Sequence, residues 1–206
     1  MEDVLDVYQR PYDEKRPVVC LDETCRQLIG EITPPLPTQP GHAAVYDYEY
    51  VRNGVADLFM CFEPLAARRF VKVTTTRTKI DFAQCLKDLS DTVYPDADII
   101  VLVMDNLNIH SLASLYAAFP PEEARRLVKR FEIHHTPKHA SWLDMAEIEI
   151  GIMSRQCLAR RIPTIEEMTA QVQAWAADRN TLKGTVHWHF TTRDARIKLQ
   201  RLYPKI

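Results

Sequence analysis

The chain lacks several things whose absence narrows what it can be. No apolar run approaches the roughly 20 residues a membrane-crossing helix needs. The N-terminus, Met-Glu-Asp-Val-Leu-Asp-Val-Tyr, is acidic and amphipathic, so it does not read as a signal peptide. No Cys-x-x-Cys pair occurs, and the five cysteines (20, 25, 61, 85 and 157) are an odd, unpatterned set. That argues against a zinc site or a disulfide framework and for thiols buried as small hydrophobes in a reducing cytosol. There is no internal repeat and no low-complexity segment. There is also no basic excess: the net charge is −2, whereas nucleic-acid binders usually carry a positive one.

What is there is a globular chain of 206 residues, 46% hydrophobic and 26% charged, long enough to bury a real core as one domain. Its charge is unevenly spread. Residues 151–206 hold 10 Lys/Arg and 4 Asp/Glu, a balance of +6, and residues 1–150 hold 16 and 24, a balance of −8. The basic tail is either a phosphate-facing surface or a solvated helical face. Four of the 13 prolines fall in Thr33–Gly41, which marks an extended surface loop.

Pro17 to Asp22 reads as a short buried strand. Ala44–Tyr50 and Ala56–Phe62 flank Arg52-Asn53-Gly54, and Asn-Gly between strand-like runs signals a hairpin. With Phe70–Thr76 these two runs predict an antiparallel three-strand meander. A helix over Ile80–Val93, a buried strand over Asp98–Asp105, a helical stretch broken at Pro120-Pro121 and a strand over Phe131–Thr136 follow. Leu143, Ala146, Ile150, Met153 and Cys157 recur at helical spacing, and Thr164 with Glu167 forms a capping-box pattern before a last long helix. The order predicts an α/β fold: a mixed sheet, the meander plus parallel strands, with helices on both faces.

Two of the buried strands end in an acid, Asp22 and Asp105. α/β sheets place ligands at that lip, yet paired carboxylates beside a core repel and resist ionisation. A divalent cation relieves both problems, and Mg²⁺ or Mn²⁺ prefers oxygen ligands. Glu147, on the helix after the last strand, is the candidate third ligand. Gly151, one turn further, suggests either a close approach to the sheet or an ordinary surface position. Glu23 is expected on the opposite side of its strand from Asp22 in a structural role, His110, like Asn106 in the segment of the second acid, either orienting substrate or Asp105 or in local hydrogen bonds, and Glu149 off the metal-facing side and solvated. His134 and His135 point opposite ways and so cannot share an ion. Trp142 reads as a packing anchor.

Four segments carry a resemblance: Val-Val-Cys-Leu-Asp-Glu-Thr at 18–24, Val-Leu-Val-Met-Asp-Asn-Leu-Asn-Ile-His at 101–110, Thr-Pro-Lys-His-Ala-Ser-Trp-Leu-Asp-Met-Ala-Glu-Ile-Glu at 136–149, and Ser-Arg-Gln-Cys-Leu-Ala-Arg-Arg-Ile-Pro at 154–163. In this order they resemble the insertion-sequence 630 family, bacterial mariner-related transposases with a DDE superfamily endonuclease domain. The likeness runs the length of the chain. It implies a ribonuclease-H-like fold, with Asp22, Asp105 and Glu147 as the catalytic, metal-binding acids. The last two are separated by 41 residues. The expected cofactors are two Mg²⁺ or Mn²⁺ ions per site. The expected partner is double-stranded DNA, both transposon ends and target, bound with help from Asn106, Lys138, His139 and Arg155; a homodimer outside any membrane is the expected assembly. The expected location is the bacterial cytoplasm, at the nucleoid when DNA is bound. The expected organisation is one catalytic domain over 1–206, without the N-terminal helix-turn-helix region that relatives carry. Asp144 departs from the Asn usual in the family. Two other readings use the same residues: a stand-alone ribonuclease-H-like nuclease, and an inert transposase remnant that only binds DNA or a partner.

Overall fold

The computed structural model describes residues 1–107, 110–138 and 140–203. Its centre is a five-stranded sheet: β1 (Val18–Glu31), β2 (Tyr50–Glu63), β3 (Arg68–Thr74), β4 (Ile100–Met104) and β5 (Phe131–His135). The spatial order is β3-β2-β1-β4-β5. The first three strands are antiparallel, and β4 and β5 join β1 in parallel. The mixed sheet is therefore the one the sequence predicts, but one of the meander's strands is a different one: β1 stands where Ala44–Tyr50 is expected.

Ala44–Tyr50 is not a strand. The connection from β1 to β2 holds only two isolated bridges, Leu36 to Val45 and Gln39 to His42. The second closes a tight turn with Pro40 and Gly41 at its centre, and the φ of +81° at Gly41 is what such a turn asks of a glycine. Asn53-Gly54 is not a hairpin turn either. It lies inside β2, where Leu28 faces Gly54 but Ile29 faces Arg52, so Asn53 is the extra residue of a bulge. The bulge holds because the Asn53 amide donates to the Pro163 carbonyl at 2.9 Å, and Gly54 takes a φ of +115°.

β1 also runs well past Asp22. It loses its parallel partner where β4 ends, but β2 pairs with it from Cys20 to Glu31 and keeps it extended. The lip at Asp22 is thus made by the end of β4, not of β1.

Strand alternation sorts the core into two layers. Val19 and Leu21 of β1 and Ile100, Leu102 and Met104 of β4 face α2 (Lys79–Asp88), α3 (Ala113–Ala118) and α4 (Pro121–Val128). Cys20, Val101 and Val103 face α1 (Glu2–Tyr8), α5 (Met145–Gln156), α6 (Ile165–Thr181) and α7 (Thr192–Lys198). Helix starts follow local chemistry. Thr78 and Asp81 form a full capping box at α2, which ends in a π-helical turn over Leu89–Val93. Pro121 takes the first position of α4, where its missing N–H costs nothing. Thr164 caps α6 through the Glu167 N–H at 3.2 Å. Among the described residues no helix is long and apolar enough to cross a membrane.

Candidate active site

The register of β1 and β4 pairs Leu21 with Met104. One step further along both chains lie Asp22 and Asp105, so the two acids are neighbours at the point where parallel pairing stops. Both continue the alternation of Cys20, Val101 and Val103, toward the face that α5 covers.

The third acid arrives on α5. The helix is moored at its start, where Asp144 is the N-cap and accepts from the Ala146 N–H at 2.9 Å. The Tyr8 hydroxyl donates to the Leu143 carbonyl just before it, at 2.6 Å. Two turns on from Glu147, Ser154 bonds Arg26 of β1. Residues seven apart share a helix face, so Glu147 lies on the β1 side, nearer the Asp22 end. Its side chain is exposed. Gly151 does not mark a close approach: a Cβ there would meet only the Arg155 guanidinium, at an ordinary 3.6 Å.

The electrostatics agree with this convergence. The Asp22 carboxyl is pushed up to about 6, first by burial, then by the charges of Glu23, Asp105 and Glu147. Its one bond to the protein that opposes the rise is from the Glu23 N–H, at 2.8 Å. Asp144 is driven well above the usual carboxylate range, again by burial and then by Asp22, Asp105 and Glu147. Asp144 is 3% exposed, and its Oδ2 has no hydrogen-bond partner among the described residues. Four carboxyl groups thus crowd one patch, and an all-oxygen donor set of this kind suits a hard divalent cation. As the side chains stand, no three described His, Cys, Asp or Glu groups are drawn together tightly enough to hold an ion.

Behind the acids lies a contact between His110 and Glu23 that the sequence did not reveal. His110, whose side chain is fully buried, has Nδ1 2.5 Å from Asp105 Oδ1 and 3.1 Å from the Asp105 carbonyl oxygen. Its Nε2 meets Glu23 Oε1. Burial pulls the imidazole pKa down, but the Glu23 hydrogen bond and the charges of Glu23 and Asp105 outweigh it, and the net direction is upward. A legible trace existed: Glu23 follows Val19 and Leu21 on a buried face where an apolar residue belongs.

Other expectations resolve as follows. Asn106, Lys138 and Arg155 are exposed, and His139 lies outside the described residues. His134 bonds Asp3 and Glu132, and His135 bonds the Asp105 carbonyl, so the two do indeed part. Trp142 stacks on Trp188 at 6.2 Å and meets Phe190 edge-on, though it stays 42% exposed. Glu149 is not solvated. It is 1% exposed and grips Arg69 through two 2.9 Å bonds, with Arg179 alongside at 3.1 Å. The turn of α5 that takes Glu149 away from the site points it into β3 and α6 instead of into water.

A mixed sheet in this order, helices on both faces and acids gathered where β1 and β4 part company define a ribonuclease-H-like nuclease fold. The sequence model of the DDE superfamily endonuclease matches residues 17–169, and the chain belongs to that family. Solved structures agree on the fold. The Mos1 strand transfer complex matches with a TM-score of 0.59 at 13% identity, over 88% of this chain and 53% of that one. The Mos1 mariner paired-end complex with Mn matches with a TM-score of 0.57 at 14% identity, over 88% and 54%. A pre-cleavage Mos1 transpososome matches with 0.56 at 15%, over 88% and 55%. The fold is therefore shared with these Mos1 proteins, and the chain spans about half of their length. No curated protein matches it.

Proposed function

We propose that residues 1–206 form a transposase catalytic domain that cuts DNA at insertion-sequence ends and joins those ends to target DNA, and that Asp22, Asp105 and Glu147 are its catalytic acids. The observation that carries this is the β1–β4 register, which sets Asp22 beside Asp105 on the face under α5. The Mos1 complexes, one with Mn and one with the left transposon end, support divalent metal and transposon-end DNA as cofactor and partner.

The three acids would hold two Mg²⁺ or Mn²⁺ ions. When bound, such ions supply charge neutralisation at phosphorus and an activated oxygen nucleophile. The chain's own contribution is placement. β1 carries Asp22, and β4 ends one residue before Asp105, so the sheet brings the two acids side by side. α5, capped by Asp144 and moored through Ser154, presents Glu147 from the other side. The exposed Asn106, Lys138 and Arg155 lie on the loop after β4, the turn before α5 and α5 itself, where they would meet the phosphate backbone. Location in the bacterial cytoplasm, at the nucleoid, and assembly as a homodimer belong to the same reading.

The test is nicking of supercoiled plasmid in Mg²⁺ or Mn²⁺. Asp22→Asn, Asp105→Asn and Glu147→Gln are each expected to abolish it. Retained nicking by any of the three would remove that residue from the site. Cleavage of RNA–DNA hybrid or branched DNA in preference to linear duplex would replace the transposase reading with a stand-alone nuclease. A chain that neither nicks nor binds Mn²⁺ would be an inert remnant.

A further inference from the structure

We propose that His110, anchored by the buried carboxylate of Glu23, is a positioning residue that aims Asp105 into the site. The inference rests on the assignment of Asp105 above and deepens it. Asp105 needs such a device. It is the first residue beyond β4, its side chain is 39% exposed, and it no longer has a strand ladder to fix it. Its carboxylate has two protein partners among the described residues. One is the Leu107 N–H at a long 3.3 Å. The other is a charge contact with His110 Nδ1 at 2.5 Å, the same nitrogen that hydrogen-bonds the Asp105 carbonyl at 3.1 Å.

The anchor is rigid where Asp105 is not. The His110 side chain is 0% exposed and that of Glu23 1%. The imidazole lies against Phe82 of α2, with ring centroids 5.0 Å apart. Each ring nitrogen faces a carboxylate oxygen, so the ring cannot turn over without exchanging partners on both sides. Glu23 sits in the row of Val19 and Leu21, facing the α2 layer, and its Oε2 has no partner among the described residues. A buried, half-satisfied carboxylate is expensive for folding. Leucine would suit that row better, so the cost is better explained by the histidine it holds than by stability.

The two adjacent residues Asp22 and Glu23 thus serve one site from opposite faces of β1. Asp22 is offered directly to the α5 face, and Glu23 acts from beneath through His110 on Asp105. Residues that orient metal ligands from behind typically change metal affinity roughly 10–100-fold when removed.

The experiment is Mn²⁺ titration of the full chain by calorimetry, with no DNA present, alongside the ¹³C resonance of the Asp105 carboxyl in the metal-free protein. His110→Gln keeps a polar group near Glu23 but withdraws the donor from Asp105. His110→Asn keeps a donor near Asp105 but gives up Glu23. Glu23→Leu keeps the fold's packing and frees the ring. We expect His110→Gln and Glu23→Leu to weaken Mn²⁺ binding roughly 10–100-fold and to shift the Asp105 resonance, with His110→Asn recovering part of both. Should Glu23→Leu fail to fold, Glu23→Gln carries the same expectation in smaller measure. Parental Mn²⁺ affinity and an unmoved Asp105 resonance in folded His110→Gln and Glu23→Leu would overturn the inference while leaving the metal site intact. Absence of Mn²⁺ binding in the parent chain would instead overturn the metal reading, and this inference with it.

Discussion

Replacing Glu149 by leucine should destabilise the protein by roughly 3–5 kcal/mol, the usual cost of stranding one partner of a buried ion pair. The structure says why the cost falls at the high end of single substitutions. Arg69 and Glu149 side chains are 1% and 2% exposed, so water cannot replace what is lost. Arg69 makes two 2.9 Å bonds to the carboxylate, one 2.6 Å bond to the Ala67 carbonyl, and lies 4.6 Å from the centroid of the Phe62 ring. That packing keeps the guanidinium from swinging out. Without Glu149 it retains one neutral acceptor for a full charge. Arg179, whose side chain is 24% exposed, can turn to solvent, so Arg179→Ala should cost only about 1 kcal/mol.

For a chain of this size about 2–4 °C of melting temperature is lost per kcal/mol, so Glu149→Leu should melt about 6–20 °C lower. Equilibrium unfolding in urea, followed by far-ultraviolet circular dichroism, measures the free energy directly. The sharper prediction concerns sign. Arg69→Met combined with Glu149→Leu should be more stable than Glu149→Leu alone, because removing the stranded charge relieves its desolvation. A Glu149→Leu protein within 1 kcal/mol of the parent, or a double variant less stable than the single, would falsify the claim that the pair is a sealed charge cluster.

Three further outcomes follow from named residues. The Asp22 carboxyl, held at about 6 in the folded metal-free chain against 3.8 ordinarily, makes the native state bind more protons between those values. Its contribution to stability therefore falls as pH rises from about 4 through 6 and is fully unfavourable above. Asp22→Asn should then be more stable than the parent at pH 7.5 but not at pH 4, and urea midpoints at the two pH values decide it. Thr78→Ala should cost about 1 kcal/mol, because Thr78 accepts from the Ile80 and Asp81 N–H groups and starts the helix whose Phe82 backs His110; an unchanged unfolding midpoint would mean the cap is idle. Asp144→Asn should fold and gain stability near neutral pH, since it keeps an acceptor for the Ala146 N–H and removes a buried carboxyl pressed by three others; a fall in melting temperature would show that the carboxyl itself is needed.

The sheet was legible in the sequence where burial was two-sided. Continuous apolar runs at 18–21 and 99–104 identify β1 and β4 because both faces of those strands meet helices, and the acid that follows each run marks the site. Reading failed where a residue's partner is remote. Asn53-Gly54 has the composition of a turn, but the Pro163 carbonyl, 110 positions away, makes it a bulge. The run 44–50 has strand-like composition but no neighbouring strand to pair with beyond one bridge at Val45. Glu149 is charged and near the end of a polar helix turn, and only β3 and α6, both far off in sequence, turn it into a core residue.

The same remoteness explains how the candidate site is supported. α5 carries Glu147 on one face and Glu149 on another, and the two acids meet opposite fates two residues apart. Glu147 is exposed near Asp22, paired with no cation among the described residues. Glu149 is clamped by Arg69 and Arg179 in the interior. The clamp fixes the rotation of α5 about its axis, and that rotation decides where Glu147 points. Because the Arg69–Glu149 bonds join α5 to β3, across the sheet from β4, the placement of the third acid depends on strands that carry no site residue. A variant that loosens the clamp without unfolding the chain, such as Arg179→Ala, should therefore lower Mn²⁺ affinity although Arg179 is not among the proposed ligands. Unchanged Mn²⁺ affinity in that protein would mean that Asp144 and Ser154 alone set the helix.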